Sequence, residues 1–142
     1  MPVRSADARW EGPLQSGKGS MRLAGGAYEG PYSFSSRFEE GSGTNPEELI
    51  AAAHAGCFSM AFAGGLGRAG HEPVSVQTTA KVQLDKREEG WRVTRIDLVT
   101  EAEVPGLDEA TFQELAEAAK KGCPISVLLS SVKIGLDAKL IA

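Results

Sequence analysis

The feature that most constrains this chain is one long apolar segment with a well-marked start. Asn45-Pro46-Glu47-Glu48 opens a run from Leu49 to Leu66 that includes Ala51-Ala52-Ala53-His54-Ala55-Gly56-Cys57-Phe58. Asn45 suits an N-cap, proline suits the first helical position, and Glu48 stands where the acid of a capping box would. Two acids in the first turn complement the helix dipole. Beyond that turn the predicted helix is apolar on nearly every face, so it is expected to be central and enclosed, ending near Gly64-Gly65. His54, Ser59 and the interspersed glycines favour a buried core helix over a membrane span.

A central helix needs sheet around it, and the flanking sequence supplies strands. A length of 142 residues predicts a single domain, residues 1–142, with a real core. In the first third, Asp7 to Trp10, Gly19 to Leu23 and Tyr32 to Phe38 read as short strand-like segments between glycine-rich turns. After the helix, 73–86 and 91–104 alternate as strands around the polar connection Lys86-Arg87-Glu88-Glu89-Gly90. Asp108 then caps an amphipathic helix carrying Phe112, Leu115, Ala116 and Ala119, stopped by Gly122. Pro124 reopens a helical turn through Leu128, and 132–141 alternates as a last strand. This order predicts an α+β domain with a mostly antiparallel sheet.

Composition excludes some partners. A net charge of −4 and a pI near 5.2 leave no basic face to displace counterions from nucleic acid. Residues 1–7 carry no apolar h-region, so no signal peptide is expected and the cytoplasm is the default location. A stable structural disulfide is disfavoured there.

Two cysteines carry the chemical interest. Cys57 lies in the alanine-rich helix, and Cys123 at the helix break Lys121-Gly122-Cys123-Pro124. Outside any CxxC or zinc spacing, the pair is inert core, a structural disulfide, or a peroxide-reactive thiol with its resolving partner. A reactive Cys57 needs a group that stabilises its thiolate, because apolar burial raises a thiol pKa. Arg37, strand-like between Phe34 and Phe38, is a candidate; its alternative is to face solvent from an edge strand. A partly desolvated arginine needs a carboxylate to hold its fork. Glu47 is the better candidate, since capping already accounts for Glu48.

Along one straight helix Glu47 and Cys57 lie about 15 Å apart, too far for a compact site. If both serve one reaction centre, a second copy of the helix must run past the first in a two-fold dimer. Ala51, Ala52, Ala53, Ala55 and Gly56 permit close helix approach, and fit equally well under the sheet of a monomer. Cys123, before Pro124 at a helix start, suits a resolving thiol or a mere chain break. Phe38, Phe58, Met60 and Phe62 are either pocket walls or core. His54, one turn before Cys57, reads as a satisfied core histidine. The dispersed histidines and cysteines make no metal site.

The stretch SSRFEEGSGTNPEELIAAAHAGCFSMAFA, followed downstream by AAKKGCPIS, resembles the osmotically inducible protein C / organic hydroperoxide resistance family. The long lead before Arg37 and the wording His54-Ala55-Gly56-Cys57 are nearer the osmotically inducible branch. The resemblance covers nearly the whole chain. It implies an intertwined homodimer of mostly antiparallel sheets around a buried central helix, with two active sites at the interface. It also implies a thiol peroxidase without metal, haem or flavin, active in oxidative or osmotic stress. Carried over by position, Cys57 is the peroxidatic cysteine, Cys123 the resolving cysteine, Arg37 the thiolate-activating group and Glu47 the acid that orients it. Organic hydroperoxides are the expected substrates, and hydrogen peroxide a poorer one. Apolar walls from Phe38, Phe58, Met60 and Phe62 would favour that choice. The intramolecular disulfide would be reduced by an external dithiol, for which a lipoyl group and thioredoxin are candidates. The competing reading is a non-catalytic dimeric ligand-binding or stress-structural protein of the same fold. A thioredoxin-like reductase is disfavoured by the missing CxxC.

Overall fold

Ala6–Glu11 (β1), Lys18–Leu23 (β2) and Glu29–Tyr32 (β3) pair as an antiparallel sheet in a computed structural model that describes residues 1–141. They belong to the first of two compact units, Met1–Leu49, and the second begins at Ile50. Gly19 on β2 pairs with Trp10 on one side and Tyr32 on the other. A Cβ there would fall 2.5 Å from Tyr32 Cε1 and 2.6 Å from Trp10 Cε3. Glycine therefore lets the two rings meet across β2, with centroids 5.4 Å apart.

The strand expected through Phe38 stops at Tyr32, and Phe34–Phe38 is a short helix, α1. The alternation of Phe34, Ser36 and Phe38 imitates a strand, but a local capping box wins. Ser33 Oγ accepts the Ser36 N–H at 3.0 Å, and Ser36 Oγ accepts the Ser33 N–H at 2.8 Å. One turn apart, the Phe34 and Phe38 rings pack with centroids at 5.0 Å. The Ser36 hydroxyl donates to Thr44 O at 2.7 Å, and Asn45 Nδ2 to Ser36 O at 2.9 Å. These bonds tie α1 to the start of the long helix Pro46–Arg68, α2. There Asn45 Oδ1 accepts the Glu48 N–H at 2.7 Å, the expected N-cap. The Glu48 carboxylate takes the Thr44 hydroxyl at 2.8 Å.

α2 runs about a turn past Gly64-Gly65 because the stop signal lies further on. Gly70 takes φ +86°, Gly70 N–H donates to Gly67 O at 3.0 Å, and His71 N–H to Leu66 O at 2.9 Å. This is a Schellman closure, and it needs glycine where φ is positive. In the second unit α2 buries one stripe, His54, Phe58, Phe62 and Leu66. Ala52, Ala53, Gly56 and Met60 are exposed, Met60 by 78%. The enclosure expected on nearly every face thus holds for one face within a single chain, the width that one sheet and one helix can cover. Length and composition alone would let α2 cross a membrane, but its stripe packs with the sheet residues of this unit.

Ser75–Arg87 (β4) and Gly90–Glu103 (β5) form the expected hairpin, closed where Arg87 pairs with Gly90 at φ +119°. Glu109–Gly122 (α3) follows, its N-cap Asp108 accepting the Thr111 N–H at 2.9 Å. Pro124–Leu128 (α4) and Lys133–Ile141 (β6) complete the chain, with β6 parallel to β5. A parallel neighbour requires such a crossover. The core joins Phe58, Phe62 and Leu66 of α2 to Leu98 and Ala102 of β5 and Phe112 and Ala116 of α3. The Phe62 ring packs at a tilt against Phe58, centroids 5.6 Å apart, and against Phe112 at 5.3 Å. Each such ring contributes roughly 1.5–3 kcal/mol by leaving water. Ser59 Oγ donates to Thr78 Oγ1 at 2.8 Å, Thr78 lies 3.0 Å from Thr100, and Thr100 donates to Gln77 O at 3.1 Å. The hydroxyls of Ser59, Thr78 and Thr100 under α2 are therefore satisfied. The architecture is α+β and mostly antiparallel, with one parallel pair among the described residues.

Candidate active site

Cys123 closes α3 and opens α4. Its N–H donates to Ala119 O at 2.9 Å, and Pro124 starts the next helix without needing an amide donor. This break turns the Cys123 side chain into the core cluster that also takes in Cys57 of α2. The two free thiols, 66 positions apart, lie with their sulfurs at 2.8 Å. Cys123 is buried and Cys57 half-buried. Burial pushes the Cys57 thiol up, and its hydrogen bond with Cys123 adds to the rise. Burial also acts to raise Cys123, but the Cys57 thiol, the Ser126 amide and hydroxyl and the Ile125 amide together hold it below the ordinary thiol range. Cys123 closes no side-chain capping bond on α4, so those amides act as dipoles around the sulfur.

His54, one turn before Cys57, is fully buried. Its Nε2 lies 2.8 Å from Ser126 Oγ, while Nδ1 has no partner among the described residues. Burial pushes the imidazole below its ordinary 6.5. The expected satisfied histidine is satisfied at one nitrogen.

The other expected pair lies in the first unit. Arg37 stands on α1, not on an edge strand, and the tie between α1 and the start of α2 brings it to Glu47. Nε donates to Oε1 at 3.1 Å and Nη2 to Oε2 at 3.0 Å, a two-pronged fork. The Arg37 side chain is 36% exposed and that of Glu47 12%. Nη1 has no hydrogen-bond partner among the described residues, so the guanidinium keeps one donor edge open. Arg37 Cζ lies 5.2 Å from the Phe38 ring centroid. Arg37 and Phe38 also border a cavity of about 490 Å³ whose other walls include Trp10, Leu14, Tyr32 and Phe34. An aromatic cavity of this size with one fixed cation suits a small organic molecule carrying a polar or anionic oxygen.

The four aromatic and methionine wall residues separate. Phe38 borders this cavity. Phe58 and Phe62 are fully buried and pack in the core of the second unit, so they line no open wall there. Their spacing from His54 and Leu66 along one helical face is the physical reason. Met60, off that face, borders a groove of about 500 Å³ with Ala61, Gly64, Arg68 and Leu115. Sequence reasoning missed Trp10, Tyr32 and Phe34 as cavity walls, because only the pairing register around Gly19 brings the first two together. It also missed Ser126, although Ser126 follows Cys123 at the same one-turn spacing by which His54 precedes Cys57.

A family model described as OsmC-like protein matches residues 39–137. Peroxiredoxin OsmC of Escherichia coli is 48% identical over 138 residues, covering 96% of this chain and 96% of the relative. Among solved structures, the OsmC like protein from Mycoplasma pneumoniae has a TM-score of 0.76 at 14% identity, covering 99% of each chain. An organic hydroperoxide resistance protein from Elizabethkingia anophelis has a TM-score of 0.73 at 23% identity, also covering 99% of each. At these identities the two structures speak for the fold, and the relative from Escherichia coli speaks for the family.

Proposed function

The chain belongs to the OsmC-like protein family, and on that premise we propose that it is a thiol-dependent peroxidase reducing organic hydroperoxides to alcohols, and hydrogen peroxide less well. The observation that carries the reading is the meeting of Cys57 and Cys123 at 2.8 Å as free thiols on separate helices. In this reading the Cys57 thiolate attacks the distal oxygen of ROOH. An S–O bond forms, the O–O bond breaks, and the alkoxide leaves as alcohol on taking a proton. Cys123 then attacks the Cys57 sulfenic acid, forming an intramolecular disulfide and releasing water. An external dithiol, a lipoyl group or thioredoxin among the candidates, returns both thiols by exchange.

Burial alone pushes Cys57 the wrong way for the first step. A cation brought to the sulfur reverses that, and Arg37, oriented by Glu47, is the group assigned to it. The same charge stabilises the departing alkoxide. The aromatic cavity that Arg37 and Phe38 border supports a preference for organic substrates.

The acting unit in this reading is an intertwined homodimer, with Arg37 and Glu47 of one copy serving the thiols of the other. Two observations support it. The first unit supplies no member of the buried apolar core, which a 49-residue segment could not afford alone. The exposed Ala52, Ala53, Gly56 and Met60 leave an apolar face of α2 available to a second copy. Residues 1–142 then act as one functional domain, because the cation and the thiols of one reaction come from different units. We place the reaction in the cytoplasm, where dithiol reductants are maintained, as part of the defence against oxidative stress.

The test is thiol counting after one equivalent of cumene hydroperoxide. Both thiols are expected to disappear in the wild type, while Cys123 persists in Cys57→Ser. Unchanged thiols in the wild type would overturn the reading in favour of a non-catalytic dimer.

A further inference from the structure

His54 and Cys57 stand one turn apart on α2, and Cys123 and Ser126 one turn apart across the start of α4. That spacing puts each pair on one helical face. The faces meet as two rungs, Cys57 Sγ to Cys123 Sγ at 2.8 Å and His54 Nε2 to Ser126 Oγ at 2.8 Å. His54, Ser126 and Cys123 are all buried. Breaking the His54–Ser126 rung would orphan a buried polar atom, so it fixes the register of the α4 start against α2.

The unpartnered Nδ1 decides the tautomer. With the proton on Nε2, the unmet atom is a lone pair; with the proton on Nδ1, a buried N–H would be orphaned, the worse deficit. Nε2–H therefore donates to Ser126 Oγ, which leaves the serine hydrogen for another acceptor. The Cys123 sulfur stands one turn back, and the Ser126 side chain lowers its pKa in the way a donor would.

We propose that His54 and Ser126 are a positioning pair for disulfide closure, holding Cys123 opposite Cys57 and passing a hydrogen bond from Nε2–H through the Ser126 hydroxyl to the Cys123 sulfur. The proposal rests on the reading of Cys123 as the thiol that closes on the Cys57 sulfenic acid. In that step an electron pair of the Cys123 sulfur forms the S–S bond, and the sulfenic S–O bond breaks. The departing hydroxide takes up the proton given up by the Cys123 thiol and leaves as water. His54 stays neutral throughout, as its burial favours, and acts as a donor only. The Ser126 hydroxyl and amide already favour the Cys123 thiolate. Cys57 of α2 meets this thiol directly, and the last turn of α3 before it carries Lys120 and Lys121. Lys120 is engaged by Glu117 at 3.0 Å and by Ile134 O at 3.4 Å. α4 itself carries no charged residue.

The chain has two cysteines, so in a Cys57→Ser background Cys123 is the one thiol and its titration can be followed by ultraviolet thiolate absorbance. In that background Ser126→Ala is expected to move the titration to higher pH, Ser126→Thr to restore it, and His54→Gln to move it less in the same direction. With both cysteines present, Ser126→Ala should slow closure at least about tenfold after one equivalent of cumene hydroperoxide, the loss of one hydrogen bond to a charged group. The waiting sulfenic acid should then be trapped by dimedone. An unchanged titration in Ser126→Ala, or a shift that threonine does not restore, would overturn the proposal. Should Ser126→Ala fold poorly by circular dichroism, His54→Gln decides by the same titration. A wild type that forms no disulfide would sink the peroxidase reading instead, while the titration still decides the pair.

Discussion

The two compact units hold their reactive groups by opposite means. From Ile50 onward, Cys57 and Cys123 sit with a continuous apolar core that includes Phe58, Phe62 and Phe112. In Met1–Leu49, Arg37 and Glu47 are part-exposed and fixed by two directed hydrogen bonds, and the buried residues of that unit are Gly30, Ser36 and Thr44. The difference follows from what each group tolerates. A thiol packs as a small hydrophobe and gains from exclusion of water. A guanidinium cannot be packed that way without a large desolvation cost, so it is held by a carboxylate at a partly wet position. The unit with the core carries the thiols, and the unit without one carries the Arg37 cation.

The sharpest way to break this comparison is to separate the two units genetically. Arg37→Ala is expected to slow the peroxide step by about 10²–10³-fold, the scale of removing one group that stabilises developing charge. Cys57→Ser is expected to abolish it. Co-expressing the two variants should restore activity if the cation of one copy serves the thiols of its partner, because each mixed dimer regains one intact site. Stopped-flow consumption of cumene hydroperoxide reads the result. Activity no higher than that of either variant alone would mean that Arg37 and Cys57 of the same chain work together, or that they do not cooperate at all.

A smaller effect is expected from the aromatic cavity, and it tests whether the first unit supplies specificity as well as charge. Phe34→Ala removes one wall beside Arg37 and should lower kcat/KM for cumene hydroperoxide by about tenfold, the scale of one ring's apolar contact. Hydrogen peroxide, too small to use that wall, should lose less. Gly19→Val should act in the same direction, since a side chain there displaces Trp10 and Tyr32. Equal losses for both peroxides would assign the cavity to structure instead of substrate choice.

What the sequence revealed divides along the same line. In the second unit the Asp108 cap, the hairpin and the periodicity of Phe112, Ala116 and Ala119 were legible, because local chemistry and core periodicity agree there. The first unit was harder. Phe34, Ser36 and Phe38 alternate like a strand, while the capping box that makes them helical uses Ser36 where an acid or amide is the usual sign. The cavity depends on strand register around Gly19, which no single segment encodes. The pairing of Arg37 with Glu47 was legible from the electrostatics of a partly buried charge. How many faces of α2 one chain covers was not, because an apolar face looks the same whether a sheet or a second copy meets it.

The smallest expected effect concerns acid sensitivity, which the comparison assigns to the core unit through His54. Its folded imidazole titrates below the ordinary 6.5 because burial disfavours the charged form. As pH falls through 6.5, the unfolded chain therefore takes up a proton that the folded chain refuses. The unfolded state binds more protons, so stability declines with falling pH until the folded imidazole also titrates. Above 6.5 both states are neutral and His54 contributes no slope. Asp85, Asp97 and Asp108 titrate below their ordinary 3.8 in the fold through hydrogen bonds led by Thr94, Arg95 and Thr111 respectively. Their contribution is present above 3.8 and is lost only as pH falls further, toward their folded values. The interval between 6.5 and 3.8 thus isolates the histidine. Urea midpoints across that interval should fall with pH in the wild type and fall less steeply in His54→Gln. Parallel slopes in the two proteins would mean that His54 is not the group the folded core keeps neutral.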